Sequence, residues 1–280
     1  MAVWFVTGAS RGMGVELARA ALDRGHAVVA TGRDPDAVTD AIGPAEQLLA
    51  ARLDVTRADQ AEGAVTAAVE RFGRVDVLVN NAGLSYKGFF EEMSPTDLDH
   101  QLAVNLIGPM HVTRAVLPYM RRQRAGHLIA ISSGAGLIGF AFSSIYAAAK
   151  AGLEGWMSAL HDEVAPFGIH TTVVNPGFFR TDLISERSMS YADASIADYD
   201  GRREEQQRWW QSQAGQQPGD PVKLAVALVH LADEEPPPRR FLAGADAIDL
   251  AERKARMLLD EVAADRDLST SLAHDDEPEV

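Results

Sequence analysis

The stretch Val3-Trp-Phe-Val-Thr-Gly-Ala-Ser-Arg-Gly-Met-Gly-Val-Glu-Leu-Ala-Arg-Ala-Ala-Leu22 decides the fold. Residues 3–7 form a short apolar, β-prone run that stops at a glycine, and residues 15–22 return apolar side chains at helical spacing. Between them, Gly8, Gly12 and Gly14 let the backbone turn sharply and approach a bound group with no Cβ in the way. Ser10, Arg11 and Met13 complete the turn. The helix that follows aims unpaired N–H groups and its positive end at the same point, which suits a pyrophosphate. The spacing is G-x-x-x-G-x-G, not the commoner G-x-G-x-x-G. Between a strand and a helix it reads as a dinucleotide cradle, against the plainer reading of a glycine-rich turn.

Outward from this unit, strands and helices alternate. Strands are expected over 26–31, 48–54, 75–80, 127–132 and 169–174, and helices over 57–72, 95–122 (with Ser94 as N-cap) and 144–164. β-then-α order demands crossovers, hence a parallel sheet with both faces covered, and its strands are apolar throughout. Beyond Pro176 the chain is polar and turn-rich over 185–219, with a helix at 203–211. A helix at 220–232 follows, with Asp220 as N-cap and Pro221 at its first position, and then one at 247–263. The expected fold class is α/β, a doubly wound parallel sheet of Rossmann type with a helical substrate-side cap and a C-terminal helix. One catalytic domain spans 1–265, with 185–219 as the cap and 266–280 as an acidic, flexible tail.

Composition narrows the function classes. With 46% hydrophobic and 24% charged residues the chain is neither fibrous nor wholly disordered. A net charge of −14, half of it in residues 260–280, argues against nucleic acid or an anionic membrane as partner. There is no cysteine, which excludes disulfides and thiolate chemistry. Eight histidines lack any ligand spacing, so no metal is expected. No apolar run reaches about 18 residues and no basic leader precedes the first strand, so a soluble, cytoplasmic protein is expected.

In dinucleotide folds an acid at the tip of the second strand holds the adenosine ribose, whereas an arginine suits a 2′-phosphate. Here that strand ends Ala30-Thr-Gly-Arg33. Arg33 with Arg11 can clamp a 2′-phosphate, which favours NADP(H) over NAD(H). The opposing reading gives the ribose to Asp34, which is equally placed to cap a helix before Pro35.

Tyr146-Ala-Ala-Ala-Lys150 puts a phenol and an ammonium on one helix face. Ser133 lies 13 residues before Tyr146 at a strand end, and Asn80-Asn81-Ala82-Gly83 ends another strand. With the glycine turn, Asn105 and Asn175-Pro176-Gly177, these motifs resemble the short-chain dehydrogenase/reductase family over roughly residues 2–182. Many members end on a strand and an Asp-Gly-Gly-like turn. This chain has Pro238-Arg-Arg-Phe-Leu-Ala-Gly244 and a long helix instead, which looks more like the hydroxysteroid- and retinol-dehydrogenase-like branch.

The resemblance implies a catalytic tetrad of Asn105, Ser133, Tyr146 and Lys150, with Ser133 rather than Ser132 facing the cleft. It implies cofactor contacts at Asn81, Ala82 and Gly83, and at Asp54 and Val55 beside the adenine. Pro176, Gly177 and Thr181 would hold the nicotinamide carboxamide, and Tyr146 and Lys150 would also meet the nicotinamide side. Asn105 would anchor a proton-relaying water. A homodimer through the helices bearing residues 95–122 and 146–164, or a homotetramer, is expected.

The expected chemistry is hydride transfer between NADP(H) and a ketone or secondary alcohol. Tyr146 exchanges the proton, and Lys150 is expected to lower a phenol pKa that is otherwise about 10. Ser133 donates to the carbonyl oxygen as charge builds there. Phe140, Phe142, Leu84, Tyr86, Phe178, Phe179, Leu183, Tyr191, Tyr199, Trp209 and Trp210 suggest an apolar cleft for a bulky lipophilic substrate. For Trp209 and Trp210 the competing reading is that they only pack the cap. Alternatives are a nucleotide sensor without catalysis, an NAD-dependent dehydrogenase of a small polar alcohol, and a sugar-nucleotide epimerase.

Overall fold

In a strand, successive side chains alternate between faces. β1 (Val3–Val6) uses this fully: Val3 and Phe5 enter one core, Trp4 and Val6 the other. The computed structural model describes residues 1–181 and 189–274. Around β1 lie β2 (Ala27–Gly32), β3 (Leu48–Arg52), β4 (Val77–Asn80), β6 (Gly126–Ile131), β7 (Ile169–Pro176) and β9 (Arg240–Ala243). They form a seven-stranded sheet in the order β3-β2-β1-β4-β6-β7-β9, with every neighbouring pair parallel. β5 (Ser85–Lys87) and β8 (Met189–Tyr191) make a separate parallel ladder.

The Trp4/Val6 face is covered by α1 (Met13–Asp23), α2 (Pro35–Ile42) and α9 (Pro221–Leu231). The Val3/Phe5 face is covered by α3 (Ala58–Phe72), α5 (Gly108–Gln123) and α7 (Ser144–Val164). The strand order reverses between β1 and β4, and at such a switch point the carboxyl ends of the strands open a crevice. The glycine turn lies there.

Three expectations change. The helix expected over 95–122 is interrupted: α4 (Pro95–Leu102) runs into a π turn at Ala103–Ile107 before α5. The extra residue turns Asn105 fully inward, where its amide donates to the Gln101 carbonyl at 3.0 Å and the Leu84 carbonyl at 2.9 Å. Arg240–Ala243, read as a departure from the family's final strand, is a strand after all and pairs with Val173–Pro176 of β7. The last helix, α10 (Ala245–Thr270), starts earlier and ends later than 247–263, so the tail expected from 266 begins as helix. Residues 275–280 of that tail lie outside the described residues.

Candidate active site

The loops at the carboxyl end of the sheet enclose a cavity of about 1010 Å³. At one end Gly8 and Gly12 adopt positive φ angles of 68° and 57°. A Cβ on Gly14 would stand 2.3 Å from the Gly8 carbonyl oxygen, so helix and turn touch through glycine alone. The motif after β4 locks this turn. The Thr7 hydroxyl accepts from the Asn81 and Ala82 N–H groups at 2.9 and 3.0 Å, and the Asn81 amide donates to the Thr7 and Gly8 carbonyls at 2.8 and 3.1 Å. α1 starts after Gly12 with no side-chain cap, leaving its first N–H groups for an anion. A Cβ-free turn under an uncapped helix start fits the pyrophosphate of a dinucleotide.

Ser10, Arg11, Met13, Arg33, Asp54, Val55, Ala82 and Gly83 continue this wall. Arg11 and Arg33 are exposed, and neither makes an ion pair among the described residues. Asp34 is occupied as the N-cap of α2, accepting the Asp36 N–H at 3.0 Å. Burial pushes the Asp54 carboxyl up, but hydrogen bonds from Thr56 and the Arg33 charge outweigh it and hold the group below its usual range.

Across the cavity stand Ser133, Tyr146 and Lys150. Ser133 follows β6 at the start of α6 (Gly134–Leu137), accepting the Ala135 N–H at 3.1 Å, and lines the cavity with Tyr146. Ser132 points the other way, donating to Glu154 Oε1 at 2.6 Å. Lys150 donates to the Ile131 carbonyl at 2.8 Å, and its Nζ lies 5.7 Å from the Tyr146 ring centre. Burial draws the Lys150 ammonium down to about 8, with the Glu154 charge opposing. The expected depression of the Tyr146 pKa is reversed: burial pushes the phenol up to about 12, and only the Ser133 side chain pulls the other way. Loss of hydration decides the direction.

Pro176, Gly177 and Thr181 line the cavity between these two ends; Gly14 and Asn105 do not. A Cβ on Gly177 would strike Asp246 Oδ1 at 2.0 Å, because Asp246 at the start of α10 accepts the Phe178 N–H at 2.7 Å. Asn105 lies beneath the wall, its oxygen accepting the Leu84 N–H at 3.2 Å, so its side chain shapes the turn behind Gly83. Of the expected aromatic roof, Leu84, Tyr86, Phe140, Phe178, Phe179, Trp209 and Trp210 line the cavity. Phe142, Tyr191 and Tyr199 sit behind it, meeting around Phe89 and one another, and Leu183 falls outside the described residues. Trp209 and Trp210 do both things weighed for them: they line the cavity and pack edge-on against each other at 4.9 Å beside Phe178.

Two features gave no sequence signal. Glu154 binds Ser132, Asn175 at 2.6 Å and Arg240 at 2.6 Å, tying β6, α7, β7 and β9 together under the site. Lys87 reaches into the cavity wall and donates to Ser143 at 2.8 Å, so Ser143 serves Lys87 and makes no side-chain cap to α7.

A glycine cradle at the switch point of a parallel sheet, facing a Ser–Tyr–Lys cluster across one cavity, defines a dinucleotide-binding oxidoreductase. Residues 2–191 match the family described as short chain dehydrogenase. The chain is 37% identical over 258 residues to oxidoreductase BOA17 of Botryotinia fuckeliana, covering 91% of this chain and 93% of that protein. It is 37% identical over 194 residues to 3-ketodihydrosphingosine reductase of Bacteroides thetaiotaomicron, covering 69% and 70%. A crystal structure of a short-chain dehydrogenase from Streptomyces avermitilis superposes with a TM-score of 0.87 at 36% identity, over 98% of this chain and all of that one. The chain belongs to the short-chain dehydrogenase/reductase family. It is therefore an oxidoreductase of small molecules with a nicotinamide cofactor, NAD or NADP. Among the described residues no helix is long and apolar enough to cross a membrane.

Proposed function

We propose that the protein is an NADP(H)-dependent carbonyl reductase or alcohol dehydrogenase acting on a bulky lipophilic ketone or secondary alcohol, with Tyr146 as proton donor and acceptor. The observation that carries this reading is the shared cavity: Ser133, Tyr146 and Lys150 line one end and the glycine cradle the other. When bound, the nicotinamide supplies or takes the hydride. The chain's own residues handle the oxygen. The Ser133 hydroxyl donates to the carbonyl oxygen as negative charge gathers, and the Tyr146 hydroxyl delivers the proton that completes the alcohol. Lys150 supplies positive charge beside the phenol and a donor for the nicotinamide ribose. A phenol held up to about 12 is protonated at neutral pH, the form that donates to a carbonyl oxygen.

NADP(H) is supported by Arg11 and Arg33, free of ion pairs among the described residues at the cavity edge, and by the engagement of Asp34 as a helix cap. The aromatic wall supports a lipophilic substrate, with residues 185–219 as the cap of a catalytic domain spanning 1–265. We place the enzyme in the cytoplasm as a homodimer through the outer faces of α5 and α7, where Met110, Leu117 and Trp156 edge a shallow groove.

The test is nicotinamide oxidation by the purified protein, comparing NADPH with NADH across small, aromatic and steroid-like ketones. Preferential NADPH consumption with the bulky ketones is expected. Cofactor binding without turnover of any ketone, or of any alcohol in reverse, would overturn the enzymatic reading.

A further inference from the structure

Lysine is almost never fully buried without a charged partner. Lys87 is 4% exposed, and no carboxylate among the described residues pairs with it. It has three N–H donors, and one reaches the Ser143 hydroxyl at 2.8 Å. Its Nζ stands 3.7 Å from the centre of the Trp210 ring and 5.5 Å from that of Tyr146. An aromatic face stabilises a cation but uses none of its hydrogen-bonding capacity. Burial alone draws this ammonium down to about 7, and an anionic oxygen brought against it would restore the charged form.

The surrounding backbone holds this arrangement in place. Phe142, a non-glycine residue, is kept in the left-handed region at φ 67°, with its carbonyl accepting the Gly88 N–H at 3.2 Å. That kink sets Ser143 beneath Lys87. A strained aromatic residue, a buried cation and a buried hydroxyl collected beside the Tyr146 phenol are expensive as packing, and such strain clusters at ligand sites.

We propose that Lys87 is a specificity-determining residue that binds a carboxylate of the substrate a few bonds from the carbonyl Tyr146 serves, so that among bulky aromatic or aliphatic ketones those carrying that carboxylate are preferred over their neutral counterparts. This rests on the oxidoreductase reading for the reaction itself but not for the anion site. Two of the three ammonium donors are left for the carboxylate, and the apolar wall takes the rest of the molecule.

Two measurements on the full chain separate these claims. Calorimetric titration in the presence of NADP+ compares phenylacetate with phenylacetamide, which needs no turnover. The acid is expected to bind at least tenfold tighter, the preference disappearing in Lys87→Met and surviving in Lys87→Arg. NADPH-dependent reduction of phenylglyoxylate and of 4-oxo-4-phenylbutanoate is then compared with that of their methyl esters. The acid-to-ester ratio of kcat/KM should fall at least tenfold in Lys87→Met, mainly through KM. Equal binding of acid and amide by the wild-type protein, or an unchanged ratio in Lys87→Met, would overturn the proposal. Acid-selective binding without turnover of any ketone would support the anion site and overturn the enzymatic reading instead.

Discussion

Replacing Arg33 by Ala removes one of two guanidiniums assigned to the 2′-phosphate while leaving Arg11 and the glycine cradle intact. A charge-assisted hydrogen bond contributes about 1.5–3 kcal/mol. Arg33 is exposed, so solvent and salt screening favour the lower part of that range. A loss of about 1.5–2 kcal/mol corresponds to a roughly 10- to 30-fold fall in kcat/KM for NADPH. NADH carries no phosphate there, so its kcat/KM should stay within about twofold. Arg33→Asp adds repulsion and a ribose acceptor, and should carry the preference further toward NADH. The assay is steady-state kinetics with both cofactors on one saturating ketone, at low and at moderate salt. The wild-type advantage for NADPH should shrink with salt more than that of either variant. An NADPH-to-NADH ratio unchanged in both variants would refute the reasoning and return Arg33 to the solvent.

Glu154→Gln keeps the shape of the Ser132–Asn175 contacts but removes the charge facing Arg240. A fully buried broken pair costs about 3–5 kcal/mol. The Arg240 side chain is 41% exposed, so about 1–2 kcal/mol is expected, a fall in Tm of about 2–6 °C by calorimetry. An unchanged Tm would remove the network's structural role. The same variant takes away the charge that opposes the lowering of the Lys150 pKa, so the alkaline limb of kcat/KM should move to lower pH. His127, held neutral by burial at about 3, accepts no proton in the folded state where the unfolded histidine at about 6.5 does. Its contribution is complete above pH 6.5 and is lost as pH falls toward 3, at up to about 1.4 kcal/mol per pH unit. His127→Gln should flatten the fall of the urea midpoint between pH 7 and 5; parallel curves would exclude His127 as its source.

The parallel sheet was readable because both its faces are covered. Runs such as Val77-Leu-Val79 are buried at every position and show as unbroken apolar strings. The cradle was readable because only glycine serves where backbone meets backbone, as Gly8 and Gly14 do. What stayed hidden depends on distant partners. Lys87 is buried because β5 pairs with a strand some hundred residues later, Ser85 opposite Met189. Glu154 and Arg240 meet across 86 residues. The depth of Asn105 depends on one extra residue in a helical turn, which apolar periodicity does not register. The direction of the Tyr146 shift depends on how dry its surroundings are, and a Tyr–Lys spacing says nothing about hydration.

The most direct test of the proton-transfer assignment is Tyr146→Phe, measured twice: by NADPH binding and by single-turnover reduction of a ketone the wild-type enzyme accepts. The ring is kept, and only the buried hydroxyl beside Ser133 is removed. Binding within about threefold of wild type and a rate reduced about 10²–10⁴-fold is the expected result, the range for loss of a positioned general acid. Undiminished single-turnover reduction with NADPH still bound would contradict it, because the proton would then come from a group other than Tyr146.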